Sequence, residues 1–219
     1  MTYPFFGLDV SVWQSLDLVP WEHQGLDFAI VRAIHGGAID VKAEGHCARI
    51  HDAHKKLSLY AFFEPAFTAE IHREAFAQIA DRVGYGVAGD IAPAVDIEGY
   101  KGHPVTKAWD KPAGEFVDLL EETYLVPPLL YLTYGTWVAM GKPSWALRCN
   151  FWIPRFPLPD HPMNLTPPPP SVVPGGNGWA IWQYGAGKLF GNVQEDGKAY
   201  SVDQNRAQYL PLIGGAVLR

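Results

Sequence analysis

Asp96 and Glu98 stand two residues apart in Ala94-Val95-Asp96-Ile97-Glu98-Gly99. On an extended strand such side chains share a face, so both carboxyls project together while Val95 and Ile97 face the other way. Ionising one acid raises the proton affinity of its neighbour, which lets one of them stay protonated as a general acid near neutral pH. By itself an Asp-x-Glu is more often a helix cap beside a solvated acid, because short motifs are only hypotheses. Two further acids add weight. Asp9 lies in Gly7-Leu8-Asp9-Val10-Ser11-Val12-Trp13-Gln14, and Asp203 in Tyr200-Ser201-Val202-Asp203-Gln204-Asn205. Each is a single acid inside an apolar run, where a charge is expensive unless it lines a polar cavity. Their structural alternatives are a turn or cap before Ser11 and an N-cap for a short helix through Arg206 to Leu210.

Strands must carry these acids. Gly7 to Ser11, Phe28 to Ala33, Leu57 to Phe63, Ala92 to Ile97, Leu129 to Thr133, Phe151 to Ile153 and Trp179 to Tyr184 are short apolar runs. They are rich in β-branched and aromatic residues and bounded by Pro and Gly, which favours strand over helix. Between them, Ile71, Ala75, Ile79 and Val83 predict a helix with Thr68 as N-cap and Gly84 as stop. Pro112 opens another, with Phe116, Leu120 and Tyr124 on one face and Pro127-Pro128 behind it. Asp40 to Lys56 is a weaker helix interrupted by Gly45. Strand–helix alternation implies parallel βα units, whose sites form at the C-terminal strand ends. After Trp179 the chain turns to short strands joined at Gly185-Ala186-Gly187 and Glu195-Asp196-Gly197. The reading is a single barrel domain over residues 1–219. The stretch 156–178, with eight prolines and three glycines, is a loop inserted between two of its strands.

Composition narrows the function. The 219 residues are 48% hydrophobic and 18% charged, enough for a core. A net charge of -6 argues against holding nucleic acid through phosphate neutralisation. No run of 18 apolar residues predicts a spanning helix, and the first residues lack the basic and apolar regions of a secretory signal. Two cysteines, Cys47 and Cys149, cannot build a disulfide framework. Cys47, His51 and His54 share helical spacing, but no second ligand group at zinc-type spacing follows, so no metal is expected. Nor is there a P-loop, dinucleotide fingerprint or Gly-x-Ser-x-Gly elbow, and no cofactor is expected.

Taken in order, the motifs resemble the family 25 glycoside hydrolases, the Chalaropsis-type lysozymes that include many phage endolysins. The resemblance is carried by Gly-x-Asp-Val-Ser-x-Trp-Gln, by Asp-x-Glu, and by Trp-x-Ile-Trp-Gln-Tyr followed by Val-Asp-x-Asn. It covers Gly7 to Asn205, with Phe28 to Ala33, Asp40, Leu130 to Tyr134 and Phe151 to Ile153 also in place. It implies an α/β fold, a flattened TIM-like barrel of five βα units and three closing strands. It also implies cleavage of the β-1,4 bond between N-acetylmuramic acid and N-acetylglucosamine in bacterial peptidoglycan. Glu98 would be the general acid/base and Asp96 its partner, with Asp9 and Asp203 lining the same pocket. The substrate's own acetamido group would attack in a retaining reaction, with a direct or an inverting route equally open. The absent leader suits synthesis in the cytoplasm and release as a phage lysin or on a virion, with a phage particle or a separate wall-binding protein as partner. A non-catalytic glycan-binding or virion structural module on the same barrel, and an N-acetylglucosaminidase, are the competing readings. Two stretches depart from the family pattern: Leu59-Tyr60-Ala61-Phe62-Phe63-Glu64-Pro65, where Glu64 adds an acid near the rim, and Ile34-His35-Gly36-Gly37.

The aromatic surplus of 8 Trp, 10 Tyr and 11 Phe invites a floor for sugar rings. Trp13, Tyr100, Trp182 and Tyr184 neighbour the acids in sequence, and Tyr131 and Phe63 complete the candidate substrate-binding set. For Trp182 and Tyr184, core packing is an equal reading. Tyr131 and Tyr134 would lie on opposite strand faces. His35 and His103 fall on predicted site loops.

Overall fold

The computed structural model describes residues 3–17, 19, 21–22, 25–155, 173–186, 193–195, 198–200, 202–215 and 217–218. Strand β1 (Phe5–Val10) starts the barrel, followed by β2 (Phe28–His35) and its short hairpin partner β3 (Ala38–Ile39). Helix α1 (Ala43–Asp52) leads to β4 (Lys56–Phe62), and α2 (Ala69–Val83) to β5 (Ala94–Asp96). Next come α3 (Asp110–Tyr124), β6 (Leu129–Tyr131), α4 (Tyr134–Ala139) and β7 (Asn150–Pro154). Strand β8 (Trp179–Ala186), the pair β9 (Val193–Glu195) and β10 (Lys198–Tyr200), and β11 (Asp203–Ala207) finish the barrel side.

Strands β1, β2, β4, β5, β6, β7 and β8 run parallel around the sheet, and β11 closes it antiparallel between β8 and β1. The result is a closed eight-stranded α/β barrel. The segment after β7 joins two neighbouring strands of this one sheet; its residues 156–172 lie outside the described residues, as do Gly187, Asp196 and Gly197 of the expected turns.

Two apolar clusters hold the barrel. One fills its interior with Phe28, Ile30, Leu129, Trp152, Ile181 and Leu212. The other lies between sheet and helices and includes Leu8, Val31, Val95, Ile97, Phe76 and Phe116. Strand alternation sorts neighbours between the two. Gly7 is required by close approach: a Cβ there would lie 2.3 Å from the Phe28 ring on the adjacent strand.

The helices follow their expected signals with three corrections. Thr68 Oγ1 accepts from Ile71 N at 3.4 Å, and Gly84 ends α2 in the left-handed region at φ +67°. The buried face of α2 is Ala69, His72, Phe76, Ile79 and Ala80, whereas Ile71 is exposed. The hydrophobic period misplaces this face because His72 occupies a core position. Its Nε2 accepts from Glu64 N at 3.3 Å, so Nδ1 donates to the Thr68 carbonyl at 2.9 Å, and its ring stacks on Phe63 at 4.9 Å. Every polar atom of the ring is thereby satisfied. Burial holds the His72 pKa below the ordinary value. Gly45 does not interrupt α1; it admits the Leu16 side chain, 2.7 Å from where its Cβ would sit. Residues 203–207 form β11 rather than a helix capped by Asp203, because they bridge β1 and β8.

Candidate active site

The four acids converge at the end of the barrel where the parallel strands finish. Asp9 is the penultimate residue of β1 and pairs in register with Asp203, which opens the antiparallel β11 at the same end. Asp96 is the last residue of β5, aligned with Phe62 on β4 and Tyr131 on β6. Glu98 follows two residues later, with Val95 and Ile97 turned to the outer cluster as alternation requires.

A chain of buried hydrogen bonds fixes the floor. Tyr131 Oη donates to Gln183 Oε1 at 2.8 Å, and Gln183 Nε2 donates to Asp9 Oδ2 at 3.0 Å. Asn205 Nδ2 donates to the same oxygen at 2.7 Å while its Oδ1 accepts from Trp152 Nε1 at 2.8 Å. Sequence reasoning missed Gln183 and Asn205 as site residues. Their signal was present, since an amide inside an apolar barrel strand needs polar company.

Burial dominates the electrostatics. Desolvation raises the Asp9 pKa to about 6 against the pull of its two amide donors, with Glu98 adding repulsion. Asp203 is pushed up to about 8 by burial and then by Asp9 and Glu98. Asp96 is driven well above the carboxylate range by burial, then by Glu98 and Asp9, with Arg32 pulling the other way. Glu98 is raised too, by desolvation, although its side chain reaches solvent: it stands exposed at the mouth but flanked by protein. The Tyr131 hydroxyl, raised first by burial, also feels Asp96, Asp9, Glu98 and Asp203. Tyr131 is thus within electrostatic reach of all four carboxylates, which gather at this one end of the barrel. Asp96 Oδ1 is buried there without a hydrogen-bond partner.

The loop after β1 is clamped from below. Asp40 Oδ2 accepts from Val12 N at 2.9 Å and from Arg32 Nε at 2.7 Å, and His46 Nε2 lies 3.2 Å from the Ser11 carbonyl. Ser11 N donates to Gln14 Oε1 at 2.8 Å, closing the turn and leaving Trp13 65% exposed. Tyr100 is half-buried on the tight turn after Glu98, where its N–H and carbonyl both bond to His103.

Three candidates for sugar stacking are not brought to the mouth. Trp182 and Tyr184 flank the inward Gln183 and therefore face outward; both are buried, Trp182 Nε1 donating to the Arg155 carbonyl at 2.8 Å and Tyr184 Oη to Gln204 Oε1 at 2.9 Å. Phe63, beside the inward Phe62, is fully buried between His72 and Phe116. Phe62 is the residue that faces Tyr100, with ring centres 5.5 Å apart. Tyr131 lines the interior; Tyr134 is exposed at the start of α4.

Among the described residues no three His, Cys, Asp or Glu side chains are arranged to hold a metal ion. Cys47 is buried while His51 and His54 are exposed, so the three do not converge. Cys47 and Cys149 are free, each thiol pushed up to about 12 by burial.

The barrel resembles solved structures across nearly its whole length. A family 25 glycosyl hydrolase from Bacillus anthracis superposes with a TM-score of 0.71 at 21% identity, covering 94% of this chain and 89% of that one. The bacterial lysozyme from Streptomyces coelicolor gives 0.72 at 20% identity, covering 94% and 93%. The catalytic domain of endolysin ply40 from bacteriophage P40 of Listeria monocytogenes gives 0.63 at 18% identity, covering 94% of each chain. No curated protein sequence matches the chain. At these identities the structures establish the fold, and the family is established by sequence. The family model Glycosyl hydrolases family 25 matches residues 8–193, from the strand that carries Asp9 to β9, and the chain is a member of that family of glycoside hydrolases.

Proposed function

We propose that this glycoside hydrolase is a muramidase, cleaving the β-1,4 bond between N-acetylmuramic acid and N-acetylglucosamine in bacterial peptidoglycan. The reading is supported by family membership and by the lysozyme and endolysin structures that share the barrel. The observation that carries the mechanism is the buried, unpartnered Oδ1 of Asp96 beside Glu98. A buried acceptor without a donor costs about 1–3 kcal/mol, so it is built to receive one from the substrate. The N–H of a 2-acetamido group is such a donor.

In the free enzyme burial raises the proton affinity of both Asp96 and Glu98, so the pair holds a shared proton. An acetamido N–H delivered to Asp96 favours its ionised form, and the shared proton then resides on Glu98. Substrate binding itself arms the acid. Glu98 gives this proton to the glycosidic oxygen as the C1–O bond breaks, and the acetamido carbonyl oxygen closes on C1. Glu98, now a carboxylate, takes a proton from water, whose oxygen attacks C1 and reopens the ring with retention of configuration. Asp9, kept in place by Gln183 and Asn205, holds negative potential beside the developing cationic sugar.

The test is digestion of purified peptidoglycan by the wild type and by Glu98→Gln, with new reducing ends identified by mass spectrometry. Reducing-end muramic acid from the wild type and a loss of about 10²–10⁴-fold in the variant are expected. Reducing-end glucosamine would move the cut to the other bond, and no products from several wall types would end the reading.

A further inference from the structure

Beside the acid cluster, the tips of β2, β4 and β5 bring together a second polar group set that the mechanism does not use. His35 Nε2 and Glu64 Oε1 are 2.9 Å apart, with side-chain exposures of 40% and 17%, so both can be reached from the mouth. The chain is bent to make this pair. A bulge in β2 between Arg32 and Ile34 re-aims His35 inward, in register with Phe62. Gly36 follows at φ +57°, and a Cβ there would lie 2.5 Å from Glu64 Oε2. Only glycine lets the carboxylate fold back over this turn.

The His35 ring that meets the carboxylate belongs to an aromatic cluster. His35 and Phe62 are 4.4 Å apart between ring centres, Phe62 and Tyr100 5.5 Å, and His35 and Tyr100 6.2 Å. His103 stacks on the far side of Tyr100 at 5.1 Å. The charge of Glu64 adds to burial in raising the Tyr100 pKa. Among the described residues the ion-pair partner of Glu64 is His35, and neither a lysine nor an arginine pairs with it.

A half-buried carboxylate with no permanent cation paired to it among the described residues, beside a cluster of aromatic rings, discriminates by charge. An ammonium gains a charge-assisted hydrogen bond from the carboxylate and the attraction of the ring faces. A neutral acetamide gains neither. We propose that Glu64, backed by His35, Phe62 and Tyr100, is a subsite for a primary ammonium carried by the wall polymer. This rests on the peptidoglycan reading above. Phe62 is aligned with Asp96 and Tyr100 lies two residues beyond Glu98, so an occupant belongs to a sugar beside the scissile bond or to a group hung from it. The amine can come from a glucosamine lacking its acetyl group or from the side chain of the stem peptide.

Calorimetric titration in a Glu98→Gln background reads this subsite while the ligands stay intact. One pair of ligands is chitosan and chitin tetrasaccharide. The other is a lysine-containing muropeptide with its side-chain amine free or acetylated. In at least one pair the free amine should bind about tenfold more tightly, and the pair that shows it names the source. Adding Glu64→Gln should abolish the preference while leaving affinity for the acetylated ligand unchanged. Tyr100→Leu, which keeps the carboxylate but removes a ring, should narrow it to about threefold and serves if Glu64→Gln does not fold. Equal affinities within both pairs, no binding at all, or a preference that survives both substitutions would overturn the inference. Failure of the muramidase reading is seen separately, as wild-type protein that releases nothing from whole walls.

Discussion

Gln183 Nε2 lies 3.0 Å from Asp9 Oδ2 across 174 residues of chain, and Asn205 Nδ2 meets the same oxygen at 2.7 Å. The first strand and the last two are thereby tied through one carboxylate at the seam where the barrel closes. Asn205 also accepts from Trp152 Nε1, so its removal strands a donor as well as weakening the hold on Asp9. Asn205→Ala should cost about 2–4 kcal/mol, since each unmet buried group costs about 1–3. In urea the unfolding midpoint should fall with the slope unchanged; an unmoved midpoint would show the network to be dispensable.

Asp203 supplies a test of what the acids cost the fold. Its native pKa of about 8 stands above the ordinary aspartate value, so the folded state binds a proton that the unfolded state releases. The proton contributes stability that is fully present below about pH 4 and is lost as pH rises toward 8; Asp9, at about 6, adds the same trend over a narrower window. Asp203→Asn removes the ionisable group. It should raise Tm at pH 8 by about 2–6 °C, an advantage that shrinks to nothing near pH 4. Calorimetric melts across that range check the sign, and a variant less stable at pH 8 than at pH 4 relative to wild type would contradict it.

Asp96 separates activity from stability more sharply. Asparagine at this position keeps the shape and removes a carboxyl that burial and its acidic neighbours disfavour in charged form. It cannot hold the proton shared with Glu98 or polarise an acetamido N–H as an anion does. Asp96→Asn should lower kcat by about 10²–10³-fold while leaving Tm equal to or above that of the wild type. Kinetics on a soluble glycan with a parallel melt distinguish this from a folding defect, in which both would fall.

Strand positions were legible because each barrel strand is a short apolar run with punctuation, and the four acids were legible because each interrupts such a run. Phase was harder to read. Deciding whether Phe62 or Phe63 faces the cavity requires knowing which way Asp96 points on the neighbouring strand, a cross-strand fact. The same ambiguity left Trp182 and Tyr184 between stacking and core packing, and their outward direction follows once Gln183 is known to bond Asp9. His72 escaped notice for a different reason: hydropathy counts imidazole as polar, whereas one with both nitrogens bonded packs like an aromatic. Glu64 and the turn at Gly36 stood out in the sequence as departures from the family pattern, but that the two meet is seen only in space.

The phase correction can be checked by exchanging which aromatic is cut away. Phe63 is fully buried, stacked on His72 and facing Phe116, so Phe63→Ala should cost about 3–5 kcal/mol of folding stability. Trp13, exposed on the clamped turn after β1, should be nearly silent in stability, within about 0.5 kcal/mol, when changed to alanine. If its indole supports a sugar ring at the mouth, Trp13→Ala should instead raise KM several-fold with kcat little changed, the mark of lost uniform binding. Denaturant melts and kinetics on the two variants should give opposite profiles. A stable Phe63→Ala with raised KM would return that ring to the cleft and undo the assignment of faces.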